Sequence, residues 1–96
     1  MSENFTYDIE SQELFNRDKI CFAGKKEIAL LDFLVKNRHQ YLSDEAILKA
    51  IWGETVVSAS TVRALIRRLR KTLEDPNIIK NIRGYGYRLF ISSEKM

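Results

Sequence analysis

The sequence predicts an α+β domain in which short antiparallel strands come first, three helices follow and a two-stranded hairpin closes the chain. Three observations carry that expectation. Apolar residues nearly alternate over Phe5–Phe22, they recur at helical spacing between Lys25 and Glu74, and β-rich runs flank Gly84-Tyr85-Gly86 near the end. With 96 residues, 45% hydrophobic and 30% charged, the chain reads as one globular domain with an ordered core of about residues 5–91. The polar ends, Met1–Asn4 and Ser92–Met96, are expected to fray.

The opening third carries Phe5, Tyr7 and Ile9, then Leu14 and Phe15, then Ile20 and Phe22, with Ser11-Gln12 and Asn16-Arg17-Asp18 between the runs. This predicts two or three short antiparallel strands, although no Asn-Gly or Asp-Gly pair marks the turns. A first helix follows over Lys25–Lys36, where Ile28, Leu31, Leu34 and Val35 share one side. Gly24 is its expected cap, and Asn37 its expected left-handed terminus. A second helix begins after Ser43 as N-cap, with Asp44 and Glu45 complementing the helix dipole, and ends at Gly53.

The third helix is expected from Ser58 to about Glu74. Projected at 100° per residue, Val62, Leu65, Ile66, Leu69 and Leu73 fall on one side. Ser60, Ala64, Arg67, Arg68 and Lys71 fall on the other, and Arg63 and Arg70 on the flank. The closing hairpin pairs Ile78–Arg83 with Tyr87–Ile91, with glycines where a tight loop needs positive φ.

Charge is segregated along the chain. The net charge is only +3, yet residues 1–57 hold seven basic and ten acidic side chains, and residues 58–96 hold nine basic and three acidic. Ala59–Leu73 holds five basic residues and no acidic one, which points that helix at a polyanion. Cys21 is the only cysteine, so a disulfide within the chain and a thiolate zinc site are both excluded, and the usage fits a reducing cytoplasm. No apolar stretch approaches the ~20 residues that span a bilayer, so no membrane partner is expected, and no signal peptide opens the chain. His39 is the only histidine and sits in a polar loop without partners for acid–base or metal chemistry. Gly84-Tyr85-Gly86 leads into a strand, unlike a phosphate-binding fingerprint, so the sequence predicts neither an enzyme nor a cofactor.

A helix, a short loop and a basic helix form a helix-turn-helix, and the hairpin behind them forms a wing. A B-DNA major groove about 12 Å wide accepts one α-helix, and guanidiniums on its outward face reach phosphates and guanine edges. Small residues such as Ser60 and Ala64 let the backbone approach the bases. An arginine at a hairpin tip suits the narrower minor groove, where negative potential is focused.

Three motifs resemble those of the OmpR/PhoB-type response-regulator effector domains. Ser60-Thr61-Val62 with Arg67-Arg68-Leu69-Arg70-Lys71 resembles their recognition helix, and Asn81-Ile82-Arg83-Gly84-Tyr85-Gly86-Tyr87-Arg88 their wing. Leu48-Lys49-Ala50-Ile51-Trp52-Gly53 is similar to the end of their second helix, and Glu27 with Leu30-Leu31 to the start of their first. The resemblance implies a winged helix-turn-helix that binds promoter DNA, commonly as head-to-tail pairs on direct repeats, joined in the full-length protein to a phosphorylatable receiver. With no receiver in 96 residues, the sequence reads as an excised effector domain or a stand-alone relative.

Position by position, the resemblance implies that Ala64 and Arg68 face base edges and that Arg67 and Arg70 contact backbone or nearby bases. It likewise implies that Arg83 enters the minor groove and that the Trp52 indole donates to a phosphate. The loop Gly53–Val57 corresponds to one that often meets RNA polymerase, a role Val56 and Val57 fit as well as they fit packing on the domain itself. The chain departs from the family pattern at Ser60, Leu65 and Gly24, where arginine, a polar or histidine side chain, and Thr or Ser are usual.

Blander readings stand beside several of these. An arginine-rich helix face taken alone is more often simply solvated. Arg70 could pair with Glu74 one turn on, Arg88 could be a structural donor, Trp52 a core residue, and Leu65 either core or a contact to a thymine methyl. The competing functional reading is a winged helix that docks protein without reading DNA.

Overall fold

The computed structural model describes residues 4–90. Met1–Glu3, Ile91 and Ser92–Met96, where the expected fraying and the strand end at Ile91 largely fall, lie outside the described residues. Three strands open the chain, β1 (Phe5–Asp8), β2 (Glu13–Asn16) and β3 (Lys19–Cys21), paired antiparallel in the order β1-β2-β3. Their turns close without an Asn-Gly pair because Gln12 and Arg17 take φ of 56° and 57°. Each such residue costs roughly 1–2 kcal/mol, which sheet pairing must offset. The Arg17 N–H adds a bond to the Asn4 carbonyl at 2.6 Å. The register sets Tyr7, Leu14 and Cys21 abreast on the inner face and Thr6, Phe15 and Ile20 on the outer.

The helices follow as α1 (Lys25–Lys36), α2 (Asp44–Trp52) and α3 (Ala59–Thr72). Ser43 caps α2 by accepting the Ala46 N–H, and Gly53 ends it at φ 62° with its N–H on the Lys49 carbonyl. Asn37 ends α1 differently from expectation. Its φ is −119°, not left-handed, and its side-chain amide donates to the Phe33 carbonyl at 2.9 Å. The side chain thus satisfies a terminal carbonyl that a left-handed residue would otherwise have served. Helix α3 stops at Thr72, two residues short of the expected end. Glu74 takes φ 55°, its N–H bonds the Lys71 carbonyl, and the Asp75 N–H bonds the Arg70 carbonyl. That pair of reversed bonds is a Schellman termination, made here without the usual glycine.

The hairpin consists of β4 (Ile79–Ile82) and β5 (Gly86–Leu89), a second antiparallel sheet separate from the first. The three helices pack on one another, and β5 lies against α1. Leu30, Leu31 and Leu34 of α1, Ile47 of α2, Val62, Leu65, Ile66 and Leu69 of α3, and Ile78, Ile79 and Leu89 around the hairpin are all buried. Leu14 and Phe5 bring the N-terminal sheet into the same core.

One polar network ties that sheet to α1. The Tyr7 hydroxyl donates to Asp32 Oδ1 at 2.7 Å, and Lys36 Nζ lies 2.9 Å from Asp32 Oδ2. Burial, then the bond to Asp32, raises the Tyr7 phenol far above its ordinary value. Burial also pushes the Asp32 carboxyl up, but the bonds from Lys36 and Tyr7 outweigh it and hold the group below its ordinary value.

Tyr7→Phe should therefore cost about 1.5–2 kcal/mol at neutral pH in urea unfolding, the low end for a part-buried bond to a charged group. Asp32, with its pKa lowered, contributes stability above its unfolded pKa and loses it as pH falls. Tyr7, with its pKa raised, contributes below its unfolded pKa and loses it as pH rises. The gap between wild type and variant should be widest between about pH 5 and pH 9 and narrow below about pH 4 and above about pH 10. A gap that is flat from acid to neutral pH contradicts this assignment.

Candidate nucleic-acid interface

Helix α3 divides its two faces by angle. Val62, Leu65, Ile66 and Leu69 are at most 1% exposed. Ser60, Arg63, Ala64, Arg67, Arg68 and Lys71 are exposed on the other side. Leu65 is core, so it cannot reach a thymine methyl; the packing alternative is the one the structure takes. The Ser60 hydroxyl shares a 2.7 Å hydrogen bond with Ser58 at the start of the helix. Among the described residues the salt bridge is Lys36–Asp32, so Arg63, Arg67, Arg68 and Lys71 present their charge without a carboxylate partner. Clustered like charges on one rigid face repel each other, and a polyanion relieves that repulsion.

Arg70 sits on the flank, half-buried, and its partner is not Glu74. Its Nε and Nη2 both donate to the Ile79 carbonyl, at 3.2 and 2.6 Å. Arg88 is likewise engaged in structure. Its Nε donates to the Arg38 carbonyl at 3.0 Å, and its guanidinium lies over the rings of Phe90 and Tyr41.

The hairpin is pinned to the start of α2. Leu42 and Tyr87 exchange both backbone bonds, at 2.7 and 2.8 Å, immediately before the Ser43 cap. This approach requires glycine at 86: a Cβ there would stand 2.2 Å from the Leu42 carbonyl oxygen, and φ is 113°. Gly84, at φ 87°, has open space around it and needs glycine only for its backbone angle. Arg83 is exposed just before Gly84 in the turn joining β4 to β5, and Tyr85, between the two glycines, is 68% exposed. A groove of about 740 Å³ separates wing from helices, lined by Ser43, Asp44, Glu45, Arg63 and Asn81–Tyr87.

Trp52 is half-buried against the core, with Lys26 Nζ 5.5 Å from its ring centroid. In the loop Gly53–Val57, Val56 is 96% exposed and does not pack on the domain, whereas Val57 is half-buried. His39 is exposed, and Cys21 packs partly against the core. Among the described residues, no three His, Cys, Asp or Glu side chains gather as a metal site needs, and no helix is long and apolar enough to cross a membrane. The structure thus brings the six outward residues of α3 onto one surface, sets Arg83 on the wing across a groove from Arg63, and places Trp52 apart from them, while Arg70 lines a shallow depression beside Arg67 and Lys71 with its guanidinium bound to the Ile79 carbonyl. The sequence does not single out Leu42, the backbone partner of the wing. The signal for Leu42 was the second glycine, whose bare Cα permits a close backbone neighbour.

The family described as "transcriptional regulatory protein, C terminal" matches residues 21–89. Regulatory protein VanRB of Enterococcus faecalis is 47% identical over 66 residues, which cover 68% of this chain and 30% of that protein. Response regulator DrrB, a Thermotoga maritima OmpR/PhoB homolog, superposes with a TM-score of 0.82 at 32% identity over 95% of this chain and 43% of its own. The Klebsiella pneumoniae RstA DNA-binding domain, solved in complex with the RstA box, superposes at 0.74 with 26% identity over 90% of each chain. The chain spans less than a third of VanRB and somewhat under half of DrrB.

Gly86→Ala should destabilise the domain by about 2–3 kcal/mol, because it combines a backbone clash with a strained φ. Gly84→Ala should cost about 1 kcal/mol, since only the angle is unfavourable. Urea unfolding of both variants checks the contrast; equal losses would mean that the approach to Leu42 imposes no constraint.

Proposed function

The chain belongs to the transcriptional regulatory protein C-terminal family, the OmpR/PhoB-type winged helix-turn-helix effector domains, and from that membership we propose that it binds promoter double-stranded DNA sequence-specifically as the effector of a two-component response regulator. The observation that carries this reading is the outward face of α3, where cations alternate with small side chains and no acid intervenes. Such a face admits the helix to a major groove. Its arginines fix the register on phosphates while Ala64 and Arg68 meet base edges. Ser60, Arg63, Arg67 and Lys71 surround that pair. Across the groove from Arg63, Arg83 reaches the flanking minor groove. The RstA domain was solved on its own DNA box with the same fold, which supports this use of it.

Two copies bind head to tail on tandem direct repeats, and in the full-length protein a receiver domain joins the effector. The protein acts in the cytoplasm, where that DNA lies, and needs no cofactor or catalytic chemistry. Trp52 lies at the end of α2 with its ring packed against the core, and we propose that its indole N–H donates to a phosphate. The exposed Val56 favours one further partner, RNA polymerase meeting the loop Gly53–Val57.

Arg68→Ala should lower affinity for the preferred duplex by about 1–3 kcal/mol and flatten discrimination between sequences, as loss of a base contact does. Arg67→Ala should weaken all sequences alike and reduce the salt slope by about one. Fluorescence anisotropy on matched and scrambled duplexes at two salt concentrations measures both; unchanged binding in both variants rules out α3 as the reading helix.

A further inference from the structure

We infer that Arg70 is a positioning residue for the wing, setting its angle to α3 and so to the minor groove, and not itself a DNA contact. The inference rests on the DNA-reading assignment above and gives Arg70 a different task within it.

The argument begins with the hairpin's own hydrogen bonds. The Phe90 N–H donates to the Ile78 carbonyl, so residues 78 and 90 face each other as a bonded pair. In an antiparallel ladder bonded and non-bonded pairs alternate. Ile79, paired in register with Leu89, therefore points its carbonyl out of the ladder, as does Asn81, paired with Tyr87. A two-stranded hairpin is marginal alone and presents two unpaired edges. Here both edges are held. On the β5 side, Tyr87 bonds Leu42 in both directions. On the β4 side, the outward carbonyl of Ile79, a residue 1% exposed, is taken by two N–H groups of Arg70.

Arg70 comes from the same helix as Arg67 and Arg68, a turn or less away, so the guanidinium ties the recognition helix directly to the base of the wing. Its planar fork fits this task, because two N–H groups converging on one oxygen fix direction as well as distance. The Leu42 bridge and the buried Ile78, Ile79 and Leu89 seat the hairpin on the core, and Arg70 adds a directional tie from the recognition helix to its β4 edge. With Arg70 in place, major-groove and minor-groove elements are held at one spacing, so that Arg83 arrives as α3 docks.

The test measures binding of the 96-residue chain to a duplex that the wild type selects from a random pool. It compares Arg70→Met, Arg70→Lys, Arg83→Ala and the two double variants, with hydroxyl-radical footprints of each complex. Arg70→Met and Arg70→Lys should each lose about tenfold in affinity, and in the Arg83→Ala background that loss should shrink to within about twofold, as expected for residues acting as a unit. Both Arg70 variants should lose protection of the flanking minor groove while keeping that of the major-groove site. Arg70→Lys retains the charge and the aliphatic stem, so it remains informative if Arg70→Met unfolds. The inference is overturned if Arg70→Lys binds like wild type while Arg70→Met loses about one unit of salt slope additively with Arg83→Ala, the behaviour of a phosphate contact. Unchanged footprints in both Arg70 variants also overturn it. If Arg83→Ala alone leaves binding intact, the wing's contact with DNA fails instead, so the two failures are separable.

Discussion

Everything else in this domain depends on α3 being both the centre of the core and the outermost surface. Its inner residues, Val62, Leu65, Ile66 and Leu69, are sealed against α1 and α2 in a core that Ile79 and Leu89 of the hairpin share. At about 1.5–3 kcal/mol for each large aliphatic side chain buried, that face alone supplies a substantial part of the driving force for folding. Because the inner face is rigidly packed, the outer face is rigid too. Arg63, Ala64, Arg67, Arg68 and Lys71 are presented on a fixed cylinder, which is what a shape-complementary fit to a groove requires. A loop carrying the same cations would have to be ordered on binding, at a cost in affinity.

The charge distribution follows the same division. The net charge of the chain is modest at +3, but the acids gather in the first 57 residues and the α3 cations stand without carboxylates within ion-pair distance among the described residues. Mild overall basicity limits indiscriminate attraction to polyanions, while the local field of α3 and the Arg83 wing remains strong. The domain thus relies on where a few arginines are held. The backbone bonds between Leu42 and Tyr87, and the Arg70 guanidinium on the Ile79 carbonyl, hold them.

The sequence revealed most of this, for identifiable reasons. The helices were legible because the apolar period of α1, α2 and α3 is uninterrupted and Ser43 and Gly53 punctuate α2. The wing was legible because its two glycines sit where positive φ is needed. The N-terminal turns were less so, because Gln12 and Arg17 occupy left-handed conformations that their residue types do not advertise. The end of α3 was displaced for the same reason, through Glu74 at a position where glycine is usual. Asn37 has a residue type that favours the left-handed terminus but acts through its side chain. Periodicity placed Arg70 on the helix flank, but its partner lies in a strand nine residues on, a contact that no local pattern encodes.

The most direct measurement of the central claim is selection of duplexes from a random pool by the 96-residue chain, followed by titration of the winner across a range of salt. An enriched motif, repeated in tandem, with affinity falling at a log–log slope of about −0.9 for each phosphate neutralised, is the predicted result. No enrichment over the starting pool, with duplexes bound equally weakly whatever their sequence, would contradict DNA reading by α3 and favour a winged helix that docks protein.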